Sequence, residues 1–298
     1  MNKIRNVLKA TAFILIPLSV LAGDLSGKVS TRLRYEGDDP REQYRVNFKY
    51  KHEFGDNSCL SINAQVLTGS KYGSSNNDFS GDFDLNLRRV YLDVQCLVDK
   101  SIQIGAIPTS SINNLDIDKN AWIDGMKVSI DLKGIIDKFS LTYGSVNPDS
   151  SPNIIERFNE EKIRFVRAEI QKQVSEKLKA SLLLTDYNNE TIIQGMLEVS
   201  TEDLIPFVDN IKIYSARDLD GNSLHNGLEF KKQIGEYSLG YGYYDIDEQL
   251  YPISSFQGKE DAFYISLSRT FKDKIKVSVR ARKGKTENRV DAQVEYKF

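Results

Sequence analysis

The chain has 298 residues, with 40 Lys and Arg against 42 Asp and Glu and a formal net charge of −2 at pH 7. That balance offers no basic face for nucleic acid, and two cysteines with two histidines are too few for a zinc domain or a disulfide framework. Nothing in the composition calls for a cofactor or a metal.

Residues 1–22 read as a secretory signal. Lys3, Arg5 and Lys9 form a basic front, Ala10 to Leu21 an apolar stretch, and Val20-Leu21-Ala22 a small-residue cleavage site. The apolar run falls short of the ~20 residues a spanning helix needs. Residues 23–298 are then the mature chain, and with no linker and no long helix-period segment they read as one domain.

That domain alternates. Leu25 to Glu36 puts Val29, Thr31, Leu33 and Tyr35 on one face and Lys28, Arg32 and Arg34 on the other. Gln43 to Phe54 follows, with Tyr44, Val46, Phe48 and Tyr50 outward and Arg45, Asn47, Lys49 and Lys51 inward. The rhythm continues through residues 59–68, 83–97, 102–107, 126–132, 138–146, 162–172, 177–185 and 191–201. It resumes through 210–217, 227–234, 237–245, 261–271, 275–283 and 289–298. The pattern predicts an all-β, antiparallel transmembrane β-barrel of about 16 strands, with 14 also allowed. Phase changes at Leu87-Arg88-Arg89-Val90 and at Arg164-Phe165-Val166-Arg167 predict two bulges.

The connections alternate in length as well. Short turns are expected at 55–58, 98–101, 173–176, 235–236 and 272–274, and longer polar loops at 38–42, 69–81, 108–124, 147–161, 187–190, 218–226 and 246–260. Short periplasmic turns and longer external loops are the asymmetry of an outer-membrane barrel, with both termini on the short-turn side.

Sorted by face, the inward charges are mostly basic. Arg32, Arg34, Arg45, Lys49, Arg280, Arg282 and Arg289 lie on the lumen face of the first two and last two strands, which become neighbours when the barrel closes. Asp116, Asp118 and Asp124 of the 108–124 loop carry the opposite charge. Folded inward, that loop would set its carboxylates across a constriction from the basic wall and create a transverse field. Lying outside, it would leave the arginines as a solvated strand face.

Cys59 and Cys96 sit at the same end of a hairpin, where an oxidising compartment permits a bridge. Their parity puts Cys59 inward and Cys96 outward, which opposes it. Ser223-Leu224-His225 is the one place where a hydroxyl meets an imidazole, but Leu228 and Phe230 set the lipid face and send both polar groups away from it. A solvated loop is the better account, and an outer-membrane lipid hydrolase the weakest alternative. His52, Tyr44, Tyr50, Tyr237, Tyr241 and Tyr243 suit interfacial positions. The closing strand ends Val290, Ala292, Val294, Tyr296 and Phe298 on its apolar face.

In this layout the chain resembles the Gram-negative outer-membrane porins, general or phosphate-selective. Leu87-Arg88-Arg89-Val90-Tyr91-Leu92-Asp93-Val94 followed by Ile102-Gln103-Ile104-Gly105 is similar to the strand pair before the porin constriction loop. The resemblance implies a passive channel for small hydrophilic solutes and ions, not an enzyme, in the bacterial outer membrane. It further implies a homotrimer set among bilayer lipid and lipopolysaccharide, and reading of Phe298 as a signal by the barrel-assembly machinery. A closed barrel serving as surface anchor or receptor is the alternative.

Overall fold

A computed structural model describes residues 23–37, 39–55, 59–69, 77–79, 84–109, 117, 121–132, 134–147, 151–159, 162–188, 190–202, 205–219, 224–246 and 261–298. The expected signal segment lies outside them.

Seventeen strands run in chain order: β1 (Asp24–Glu36), β2 (Asp39–Phe54), β3 (Leu60–Thr68), β4 (Asn77–Asp78), β5 (Leu85–Leu97), β6 (Lys100–Pro108), β7 (Trp122–Asp131), β8 (Lys138–Val146) and β9 (Ile163–Ser175). After them come β10 (Leu178–Tyr187), β11 (Glu190–Ser200), β12 (Asn210–Asp218), β13 (Leu224–Ile234), β14 (Tyr237–Asp245), β15 (Ala262–Phe271), β16 (Ile275–Gly284) and β17 (Asn288–Lys297). β4 is a two-residue piece bonded to β2 through Gln43 and Tyr44. The other sixteen pair antiparallel with their neighbours, and β17 pairs with β1 from Lys28↔Lys297 to Glu36↔Arg289, so the sheet closes without an edge. Among the described residues one 3-10 turn, Glu156–Asn159, lies in the β8–β9 connection.

Closure is sealed at the C-terminus. The Gly27 and Phe298 backbones exchange hydrogen bonds of 3.0 and 3.1 Å. The Phe298 ring lies over Gly27, where a Cβ would sit 2.6 Å from it, and stands 5.7 Å from the Phe48 ring. Only glycine leaves room for that aromatic on the outer face.

The outward residues form an apolar mantle. Ile265, Leu267, Val279, Val294 and Tyr296 are each about half exposed, an arrangement that lipid covers and water does not. Tyr44, Val46 and Phe48 share this face by register, yet are 6%, 1% and 2% exposed. Tyr44 meets the Phe79 ring at 5.0 Å.

One expected bulge is present and one is not. Gln65 pairs with Arg89 and Val66 with Leu87, so Arg88 is the extra residue and both arginines turn inward. At 164–167 the ladders to β8 and β10 run without a break. The phase there changes because Phe165 is an apolar residue facing the interior. Of the stretch expected as a loop at 38–42, residues 39–42 are strand, since β2 begins at Asp39 and Glu42 pairs with Leu33; Asp38 lies outside the described residues. The 187–190 connection is similarly tight, with Asn188 at φ 49° joining Tyr187 to Glu190.

Candidate functional site: the two walls of the lumen

Closing β17 onto β1 brings the predicted basic residues onto adjacent strands. Going round the inner face from β15, Arg280 and Arg282 of β16 sit beside Asp291 and Arg289 of β17, which sit beside Arg34 and Glu36 of β1. Arg32 and Ser30 are then level with Gln43 and Arg45 of β2. Lys49 follows toward the terminal end, on the same inner face and exposed.

Two carboxylates hold this array in register. Asp291 accepts from Arg34 Nε at 2.8 Å and Arg289 Nε at 2.9 Å, with Arg32 at 3.9 Å. Glu36 stands 3.6 Å from Arg289 and 3.7 Å from both Arg34 and Arg41. Arg32 also donates to Gln43 Oε1 through Nε and Nη2, at 3.0 and 2.6 Å. Arg280 lies 4.5 Å over the Tyr264 ring. Near the terminal end Lys28 donates to Glu295 at 2.8 Å. Above that pair, seven named arginines (32, 34, 41, 45, 280, 282, 289) share two named carboxylates (36, 291). Among these named groups positive charge exceeds negative, and like charges this close repel one another unless water or an anion solvates them.

The opposite wall is built like a protein core. Phe165 of β9, Leu183 and Tyr187 of β10, Ile192 and Met196 of β11, Tyr214 of β12 and Tyr244 of β14 all point inward, and none is more than 6% exposed. Tyr214 donates to Glu229 at 3.2 Å, and Tyr244 donates to the same carboxylate. Gly227 makes room for this, because a Cβ there would lie 2.7 Å from the Tyr244 ring. Ile117, from the β6–β7 connection, belongs to the same cluster and is 2% exposed.

Arg88 and Arg89 tie the loop roots together. Arg88 Nη2 donates to the Gly69 carbonyl at 2.7 Å and Arg89 Nε to the Ala121 carbonyl at 3.1 Å. Arg157 donates from the 3-10 turn to the Arg88 carbonyl at 2.8 Å and to both Asp124 oxygens at 3.0 and 3.1 Å, 4.3 Å over the Trp122 ring. Sequence reading missed Arg157, Asp291 and Glu36, and took Arg88 and Arg89 as a phase change within a porin-like strand pair, with no role in holding loop roots. The signal for the last two was the doublet itself, since two successive charges cannot share a face without a bulge.

Of the acidic residues expected to face the basic wall, Asp116 and Asp118 lie outside the described residues. Asp124 belongs to β7, and its charge is matched by Arg157 and, at 3.8 Å, Lys162. It therefore answers a neighbouring loop and not the wall. Ser223 also lies outside the described residues; His225 is inward and fully buried. Cys59 is disulfide-bonded in a chain with two cysteines, and the Cys96 side chain lies outside the described residues. The β5–β6 ladder shifts between Val94 and Leu97, so strict alternation does not hold at that end of β5. Among the described residues no cluster of His, Cys, Asp and Glu could hold a metal.

The chain is similar in structure to variants of the porin of Rhodopseudomonas blastica. One superposes with a TM-score of 0.64 at 14% identity, covering 93% of this chain and all of that one, and a second does so with 0.64 at 13% over the same shares. A triple mutant of the same porin gives 0.63 at 13%, again over 93% and 100%. No protein-family model and no curated protein sequence matches the chain. The likeness is one of fold: a closed 16-stranded antiparallel barrel of porin type.

Proposed function

We propose that the chain is an outer-membrane porin, a passive channel for small hydrophilic solutes and ions with a preference for anions. The observation that carries this reading is the pairing of an apolar outer mantle with an inner wall on which arginines outnumber carboxylates. Cations fixed at a narrow aqueous passage raise the local anion concentration and lower the barrier to anion entry. No covalent step is required of any residue.

The 108–124 loop supplies the second border of the passage in this reading. Ile117 belongs to the buried cluster that includes Met196, Tyr214 and Tyr244, and Arg89 holds the far root at Ala121. A loop anchored on that wall narrows the lumen toward the arginines. Asp116 and Asp118 flank Ile117 in sequence, and we assign them to the open side, opposite Arg32, Arg45, Arg280 and Arg282. Asp124 serves the anchor through Arg157. Placement in the bacterial outer membrane, assembly as a homotrimer, contact with lipopolysaccharide and recognition of Phe298 by the assembly machinery belong to the same proposal, as does a Cys59–Cys96 bridge at the terminal end. All rest on the porin-type fold and the exported character of the sequence.

Reconstitution in planar bilayers tests the reading. Discrete conductance steps are expected, and in a salt gradient a reversal potential of the sign set by anions. A cation-selective channel would overturn the assignment of the wall. The buried apolar cluster is what favours the alternative of a closed barrel acting as anchor or receptor, and complete absence of conductance from folded protein would decide for it.

A further inference from the structure

Two turns at the end of the barrel that carries the termini are built to one plan. The β7–β8 turn ends Ile135-Ile136-Asp137 and the β11–β12 turn ends Phe207-Val208-Asp209. In the first, Asp137 accepts from Lys172 Nζ at 2.9 Å and from the Gln173 backbone N–H at 2.5 Å, while its own N–H donates to the Gln171 carbonyl at 3.0 Å. In the second, Asp209 accepts from Lys232 Nζ at 2.6 Å and from the Gln233 N–H at 2.6 Å, and its N–H donates to the Lys231 carbonyl at 2.8 Å. The receiving strands match over Glu169-Ile170-Gln171-Lys172-Gln173-Val174 and Glu229-Phe230-Lys231-Lys232-Gln233-Ile234.

Each clamp brackets one bare apolar side chain. Ile135 is 94% exposed and Phe207 79%, whereas the next residues, Ile136 and Val208, are half-buried and buried. Lys172 also donates to the Gly134 carbonyl at 2.6 Å, so Ile135 is fixed from both sides. Phe207 is bracketed by the bonds Ile205 N–H to the Thr201 carbonyl and Val208 N–H to the Ile205 carbonyl, 3.1 and 3.2 Å.

The direction of these prongs is set by the strands. Lys172 pairs with Ala180 and Lys232 with Leu239, and both lysines lie on the outward face. Asp137 and Asp209 continue the ladders by one residue and share the face of Leu141 in β8 and Ile213 in β12, which belong to the apolar mantle. Lys172 reaches both Asp137 and the Gly134 carbonyl from that face, and Lys232 reaches Asp209, so each turn is tied to the outer side of the barrel beside an ammonium group.

We propose that Ile135 and Phe207 are membrane-insertion prongs, seated at the headgroup and acyl-chain boundary of the leaflet nearest the termini and oriented by the Asp137–Lys172 and Asp209–Lys232 clamps. The inference rests on the outer-membrane reading and goes beyond it. It assigns the occupant as phospholipid, because the prongs adjoin a lipid-facing apolar band; the clamps, each a Lys–Asp pair, set their orientation and not a charge attraction.

The test places Trp at each prong, as Ile135→Trp and Phe207→Trp, in protein reconstituted in phosphatidylethanolamine–phosphatidylglycerol vesicles. Emission is read against the native chain, whose single Trp122 is 1% exposed. The added emission is expected to shift to the blue, to be quenched by phospholipid brominated near the headgroup end of its chains, and to resist iodide in the water. Adding Asp209→Ala to Phe207→Trp is expected to weaken bromine quenching and admit iodide. Red-shifted, iodide-quenched emission from both prongs would overturn the inference. Leu267→Trp, on the mantle itself, separates that failure from failure of the membrane reading: unquenched by bromine, it would sink both.

Discussion

The two sides of the lumen obey different physics. From β16 through β17 and β1 to β2 the inner face is a crowd of guanidinium groups organised by Asp291 and Glu36. From β9 to β14 it is Phe165, Leu183, Met196, Tyr214 and Tyr244, buried as in a soluble core. Inward-facing therefore does not mean wet. One stretch of the inner face is packed and largely apolar around Ile117, and the other is charged. Under the channel reading proposed above, the passage would run beside the charged stretch.

The sharpest way to break the comparison is to invert one wall. Reversing Arg32, Arg280 and Arg282 to Glu changes the local charge by six, and the reversal potential in a salt gradient is expected to change sign. Folding is expected to survive: Arg32 gives up bonds to Gln43 and a long contact with Asp291, and Arg280 its place over the Tyr264 ring, while the backbone ladders that close the barrel are untouched. An unchanged reversal potential would mean that solutes do not pass the arginines.

The apolar wall should respond in stability and not in selectivity. Phe165→Ala removes a fully buried ring that packs edge-on against Tyr187 at 5.3 Å, and truncations of this kind cost about 3–5 kcal/mol. Urea unfolding followed by gel mobility is expected to show that loss, with the sign of the reversal potential retained. A change of sign without a loss of stability would exchange the roles of the two walls.

Arg157→Met comes next. It leaves Asp124 with Lys162 at 3.8 Å as its remaining cation in the described structure. Breaking a fully buried pair costs about 3–5 kcal/mol; here about 2 kcal/mol is expected, because Asp124 keeps part of its solvent. The same unfolding assay measures it. If the turn also positions the loop, the variant's open-channel current will be noisier than that of native protein.

Much of this was legible because strand alternation has period 2 and depends on local sequence alone. The basic wall needed only that rule and closure of the last strand on the first. The apolar wall was hidden by the same rule: inward Phe165 looked like a break in phase, since alternation presumes a watery interior and cannot see Ile117, 48 residues earlier in the chain, joining the same cluster. The pairing of Asp124 was hidden for a related reason. Its partner Arg157 lies in a different connection, and no local pattern announces such a pair. The 38–42 segment read as a polar loop, but Arg41 stands near Glu36 across the hairpin, and strand pairing over 39–42 accommodates the charges.

The smallest expected effect concerns the terminal rim, where neither wall is involved. The Gln173 backbone N–H and then the Lys172 ammonium hold the Asp137 carboxyl below the ordinary carboxylate range, and Gln233 and Lys232 do the same for Asp209. A carboxylate whose folded pKa lies below its unfolded value of about 3.9 contributes stability that is complete above that value and is lost as pH falls through the lower, folded one. Asp137→Asn and Asp209→Asn should therefore lower the urea midpoint slightly at neutral pH. The difference from native should shrink as the buffer is taken toward pH 3 and below, because protonation then removes from the native chain what the amide removes from the variant. A gap that stayed constant across that range would assign the effect to the amide's altered hydrogen bonding, and would leave the clamps without an electrostatic part.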